Sequence, residues 1–178
     1  MFGKVITTTL VSLLCAGAVQ AAEFLLSSPD LGKTFKPEQY HSEFGCSGRS
    51  ARPALQWSSA PKGTKSFAVT VHDIDAPTGS GFWHWVVIDI PAQATGIASS
   101  GLPDGAKEGN TDLGKPGYFG PCPPIPRKHR YVFTVHALDV DRLDVPDGAT
   151  AALTGFFIWQ HELGRAKLVV TGGPRKKE

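Results

Sequence analysis

The chain has 178 residues, long enough for one domain with a substantial core. Its 18 Lys and Arg nearly balance 16 Asp and Glu, for a formal charge of +2. That excludes the broad basic face of a nucleic-acid binder.

The N-terminus has the composition of an export signal. Lys4 carries a positive charge, Val5 to Val19 are small and apolar, and Val19-Gln20-Ala21 puts small residues at the −3 and −1 positions of a cleavage site. Cleavage after Ala21 is expected, leaving about 157 residues in the periplasm or secreted. The apolar run is short for a membrane span, so no transmembrane anchor is expected after processing. Leu14 is too bulky to precede a lipid-modified Cys15. Processing leaves Cys46 and Cys122, which an oxidising compartment would join as one disulfide. Two free thiols are the alternative.

The segment after Ala21, residues 22–178, is expected to form one domain. Glu23–Ser28 reads as a first short strand and Pro29–Lys33 as a turn. Tyr40–Phe44 reads as a second strand, stopped at Gly45-Cys46-Ser47-Gly48, and Ala54–Trp57 as a third. After the Ala60–Thr64 turn, Lys65–Val71 alternates at period 2 and Trp85–Ile90 is β-branched and apolar, so both read as strands. Between them, His72-Asp73-Ile74-Asp75-Ala76-Pro77-Thr78-Gly79-Ser80-Gly81 supplies two carboxylates and a turn. Alternation puts Phe67, Val69, Val71 and Asp73 on one face. It puts Phe82, His84, Val86 and Ile88 on another, with Trp83 and Trp85 opposite them.

Pro91–Lys128 shows no helical or strand period, and fourteen of its positions are Gly or Pro. A loop of that length is usually functional or disordered. Its end, Gly114–Pro124, combines glycines that admit a close backbone approach with prolines that stiffen it. His129–Leu138 is a strong strand with His129, Tyr131, Phe133 and Val135 on one face, and Arg130 and His136 on the other. Thr150–Leu163 is the best helix, with Ala151, Ala152, Leu153, Phe156, Phe157 and Trp159 as an apolar stripe and Gly164 at its end. Arg165–Thr171 is a last strand. Short strands about ten residues apart predict a mainly β sandwich.

Asp73, His84, His129 and Tyr131 stand at strand ends on apolar faces. A polar group there survives only with partners. Asp73 could fix the tautomer of one imidazole. The remaining ring nitrogens, the Tyr131 hydroxyl and loop N–H groups would then converge on a small anion such as phosphate, sulfate or carboxylate. Three other readings use the same residues. Two histidines and a carboxylate could hold a metal, although no tight ligand spacing such as His-x-x-x-His is present. Ser80 near His84 could serve a hydrolase, but no Gly-x-Ser-x-Gly turn frames it. The polar groups could also simply satisfy one another.

Two longer motifs sharpen the choice. Asp73-Ile74-Asp75-Ala76-Pro77 through Phe82-Trp83-His84-Trp85, and Gly117-Tyr118-Phe119-Gly120-Pro121-Cys122-Pro123-Pro124 followed by His129-Arg130-Tyr131, resemble the two signatures of the phosphatidylethanolamine-binding proteins. The leader and Cys122 are similar to the bacterial, Raf kinase inhibitor-like branch. The resemblance implies a mainly β fold: a sandwich of antiparallel sheets with a few short helices, one near the C-terminus. It implies a ligand site at Asp73, Asp75, His84, Tyr118, Gly120, Pro123, His129 and Tyr131. The implied partner is a small anionic or phosphorylated ligand, with a protein partner through an inhibitory surface as the alternative. No nucleic acid, cofactor, metal or catalytic residue is assigned. Ile74 stands where the family has proline, and Gly48–Pro53 lacks the Asn and Ser of the corresponding family element.

Overall fold

A computed structural model describes residues 22–124 and 126–173. The leader segment expected at the N-terminus lies outside the described residues. Strands β1 (Leu25–Ser27), β2 (Leu55–Ser58) and β5 (Gly96–Ile97) form a small antiparallel sheet in the order β1-β2-β5. Strands β3 (Ser66–Asp73), β4 (Phe82–Pro91), β6 (Lys107–Glu108), β7 (His129–Leu138) and β8 (Glu162–Gly172) form a large one in the order β6-β4-β3-β7-β8. Every pairing of these strands is antiparallel. The main core lies between the sheets, where Leu26, Leu55, Trp57 and Ile97 meet Phe67, Val69, Val71, Phe133 and Val135. A second core covers the other face of the large sheet. There Ala68, Val86, Ile88 and Leu138 pack under Leu143 and under Ala151 and Ile158 of helix α1 (Ala151–His161).

His129–Leu138 is a strand over the expected span, with Tyr131, Phe133 and Val135 in the main core. Tyr40–Phe44 is not a strand. A single 3₁₀ turn at Pro37–Gln39 precedes it, and the segment then turns on Phe44 and Gly45, both in left-handed conformation at φ 57° and 78°. That conformation cannot continue an extended ladder.

The second difference lies in β4. Val71 pairs with Trp85 and His72 with Trp83, which leaves His84 as an inserted residue in a β-bulge. Trp83 therefore stacks on His72 on the outer face, at 4.0 Å between ring centroids, as alternation predicts. Beyond the bulge the alternation is reversed. Trp85 and Val87 enter the main core, and Val86 and Ile88 enter the helix-side core. A second irregularity, between the Val69–Val87 and Phe67–Ile90 pairs, returns Ile90 to the main core. It places Asp89 at φ 58°, with its buried carboxylate accepting the Leu143 N–H at 3.0 Å.

Helix α1 is capped by Thr150, whose hydroxyl accepts from the Leu153 N–H. It buries Ala151, Thr154 and Ile158. Of the expected stripe, Leu153, Phe156 and Trp159 are exposed, Trp159 at 66%. Nor does the helix end on Gly164: the backbone passes at Glu162 directly into β8. No helix among the described residues is long and apolar enough to cross a membrane.

Candidate functional site

Antiparallel pairing sets Asp73 at the end of β3 opposite Tyr131 near the start of β7. His129 is the first residue of β7. Its Nδ1 lies 2.7 Å from Asp73 Oδ2, and both side chains are buried. The other carboxylate oxygen accepts the Asp75 N–H at 3.0 Å. Both oxygens of Asp73 are thus engaged in hydrogen bonds.

The bulge delivers His84 to the same place. Its Nδ1 is 2.8 Å from the Phe119 carbonyl oxygen, and the Phe119 N–H donates to the His84 carbonyl, also at 2.8 Å. A residue inserted in a strand has lost its ladder partner. Here the Gly/Pro loop supplies one, which fastens that loop to β4. The His84 ring meets the Tyr131 ring edge-on, with centroids 5.0 Å apart. Burial pushes the His84 pKa down to about 4, against smaller upward pulls from the Phe119 carbonyl and the Asp73 charge.

Tyr131 is 1% exposed, and its hydroxyl is buried without a hydrogen-bond partner among the described residues. Burial, with the nearby Asp73 charge, raises its pKa. The ring fits because Gly172 on the neighbouring strand has no side chain. A Cβ there would lie 2.6 Å from Tyr131 Cε2.

These four residues line a cavity of about 310 Å³. Phe82, Phe119 and Pro123 make apolar walls, and Phe44, Pro77 and Leu113 reach its edge. No Lys or Arg side chain among the described residues lines it. Among the described residues no group of three or more His, Cys, Asp or Glu is placed to hold a metal ion.

Of the residues assigned from the sequence, Asp73, His84, Pro123, His129 and Tyr131 meet at the cavity. Asp75, Tyr118 and Gly120 stand behind it. Asp75 is clamped by Arg130, accepting from Nε at 2.9 Å, Nη2 at 2.7 Å and the backbone N–H at 2.8 Å. The Arg130 side chain holds the Asp75 pKa down to about 2. Tyr118 packs edge-on against Trp85. Gly120 lets the loop press onto the 37–51 segment, since a Cβ there would lie 2.4 Å from the Gln39 carbonyl oxygen. The Gly120 N–H donates to Ser50 Oγ at 3.2 Å, and Ser50 Oγ also pairs with His41 Nδ1 at 2.8 Å. A disulfide joins Cys46 to Cys122 in the same region.

Sequence reasoning missed Phe119, Phe82, Ser50 and His41. Phe119 acts through its carbonyl, which no side-chain pattern reports. Phe82 shares its expected face with His84, and that was the available signal. Ser50 occupies the Asn position of the departed family element and supports the loop with a hydroxyl.

The family model described as phosphatidylethanolamine-binding protein matches residues 28–172. The chain belongs to this family. It is 48% identical over 130 residues to UPF0098 protein YbhB of Escherichia coli (strain K12), covering 70% of this chain and 82% of that one. It is 39% identical over 173 residues to UPF0098 protein YbcL of the same organism, covering 92% and 94%. The crystal structure of E. coli YbcL, described as a new member of the mammalian family, superposes with a TM-score of 0.80 at 38% identity, over 85% of this chain and 99% of that one. A homologue from Chlamydia trachomatis superposes with a TM-score of 0.72 at 28% identity, over 87% and 98%.

Proposed function

We propose that this chain is an exported binding protein of the phosphatidylethanolamine-binding family, whose cavity holds a phosphorylated headgroup or a similar small anion. The observation that carries the reading is the buried Tyr131 hydroxyl, which has no hydrogen-bond partner among the described residues and lines one cavity with His84 and His129. A buried hydroxyl without a partner costs about 1–3 kcal/mol, so such groups usually have a ligand or an ordered water. With no Lys or Arg among the described lining residues, recognition rests on hydrogen bonds beside the apolar walls, where each is stronger than in water. The small residues before Ala21 and the Cys46–Cys122 disulfide support an oxidising, extracytoplasmic location. The geometry assigns no reaction.

Thermal unfolding of the purified protein with millimolar phosphoethanolamine tests this reading. The melting temperature rises in the wild type, and His129→Ala abolishes the rise. A wild type that shows no shift contradicts it.

A further inference from the structure

The two histidines at the cavity are not interchangeable donors. A carbonyl oxygen only accepts, so the His84 Nδ1 that faces Phe119 O at 2.8 Å must carry the ring proton. In the neutral ring Nε2 is then a lone pair, and the hydrogen bond His84 makes through its ring is the one from Nδ1. His84 is buried, so the neutral ring is the form present near pH 7. His129 likewise has Nδ1 committed to Asp73, and its Nε2 donates only when the ring is charged. Tyr131 contributes a hydroxyl that has no hydrogen-bond partner among the described residues. The cavity therefore offers an acceptor at His84 next to a donor at Tyr131.

Resting on the anion reading, we infer that this site selects an oxyanion that keeps a proton, namely a phosphomonoester monoanion, over a fully deprotonated one such as a sulfate ester. The phosphate P–O–H donates to His84 Nε2, while another phosphate oxygen accepts from Tyr131. A sulfate ester of the same shape has only acceptors, and it sets an oxygen lone pair against the His84 lone pair. The charged or titratable groups around His84 are Asp73 and His72 on β3, His129 and Tyr131 on β7, and His41 in the 37–51 segment. Asp73, His72, His41 and Tyr131 act on both ligands alike, and the Nε2 lone pair of a neutral His129 adds to the same preference as that of His84. The ratio of the two affinities therefore isolates the ligand proton.

The experiment is calorimetric titration of the wild-type protein with methyl phosphate and methyl sulfate, at constant ionic strength, from pH 4 to 8. Phosphomonoesters lose their second proton near pH 6. At pH 6 methyl phosphate binds at least about tenfold tighter, the consequence of one mismatched buried hydrogen bond. Above pH 6 the ratio falls about tenfold per unit as the protonated ester disappears. Towards pH 4 it narrows, because His84 becomes a donor to both ligands. Equal affinities at pH 6, or a ratio independent of pH, overturn the selectivity while leaving the anion site standing. If neither ester binds at any pH, the anion reading falls and the selectivity with it.

Discussion

Asp73 and His129, 56 residues apart in the chain, meet through a 2.7 Å hydrogen bond where β3 and β7 end side by side. Both side chains are buried, and Asp73 also holds the backbone turn at Asp75. Removing one member of a buried, hydrogen-bonded pair strands the other, at a cost of about 3–5 kcal/mol. Asp73→Ala is expected to lose stability of that order in urea unfolding. Asp73→Asn keeps an acceptor for His129 and is expected to lose less. An Asp73→Ala protein within about 1 kcal/mol of wild type would show the pair to be unimportant to the fold.

Acid should weaken the fold in a defined window. The His84 pKa falls from 6.5 to about 4 on folding, chiefly through burial. The unfolded chain therefore binds more protons between those values. This contribution is fully present above pH 6.5 and is lost as pH falls towards 4, to a limit of about 3 kcal/mol. His41 and His136, whose pKa values burial also lowers, add to the loss in the same direction. Urea unfolding of wild type and His84→Gln across pH 4–7.5 is expected to show a shallower acid loss in the variant. Parallel curves would mean that His84 does not titrate in this range.

The Asp75–Arg130 clamp separates a supporting residue from a ligand-contacting one. In Arg130→Ala the Asp75 pKa should climb from about 2 towards 3.8, because the side-chain hydrogen bonds that depress it are gone. Carboxylate titration by NMR reads this directly. The pair is solvent-exposed on the arginine side, so its effect on stability should be small. An unchanged Asp75 pKa would remove Arg130 as its cause.

Cys46 and Cys122 close a loop across 76 positions. On the chain-entropy model a loop of that size contributes about 4 kcal/mol. The double variant Cys46→Ser, Cys122→Ser should therefore unfold at lower urea. The His41 N–H bond to the Pro121 carbonyl and the Gly120 N–H bond to Ser50 remain, so the cavity wall should persist. Phosphoethanolamine affinity is then expected to fall less than stability does. A variant as stable as wild type would show that the crosslink is not a determinant of the fold.

Much of this architecture was legible because alternation is a local property. Tyr131, Phe133 and Val135 fall on the main-core side as read, with His129 buried at the strand start. So do Phe67, Val69 and Val71, with Asp73 buried at the strand end. Alternation failed at Trp85, Val86 and Ile88. The inserted residue is His84 itself, and a bulge is set by pairing with a partner strand. The helix stripe misled because Phe156 and Trp159 are apolar without being covered, and three smaller or narrower residues make the contact. The Phe119 carbonyl and the Ser50 hydroxyl act by position after folding, so their roles were not written in residue type.

On the proposed function, the cavity holds a small phosphorylated anion through the Tyr131 hydroxyl. Calorimetric titration of wild type and Tyr131→Phe with phosphoethanolamine tests it most directly. The substitution removes one oxygen that has no hydrogen-bond partner among the described residues, so the folded state should be kept or slightly stabilised. Saturable binding to wild type and a loss of at least about tenfold in the variant are expected. Equal affinity in both proteins, or no binding to wild type at millimolar ligand, would contradict it.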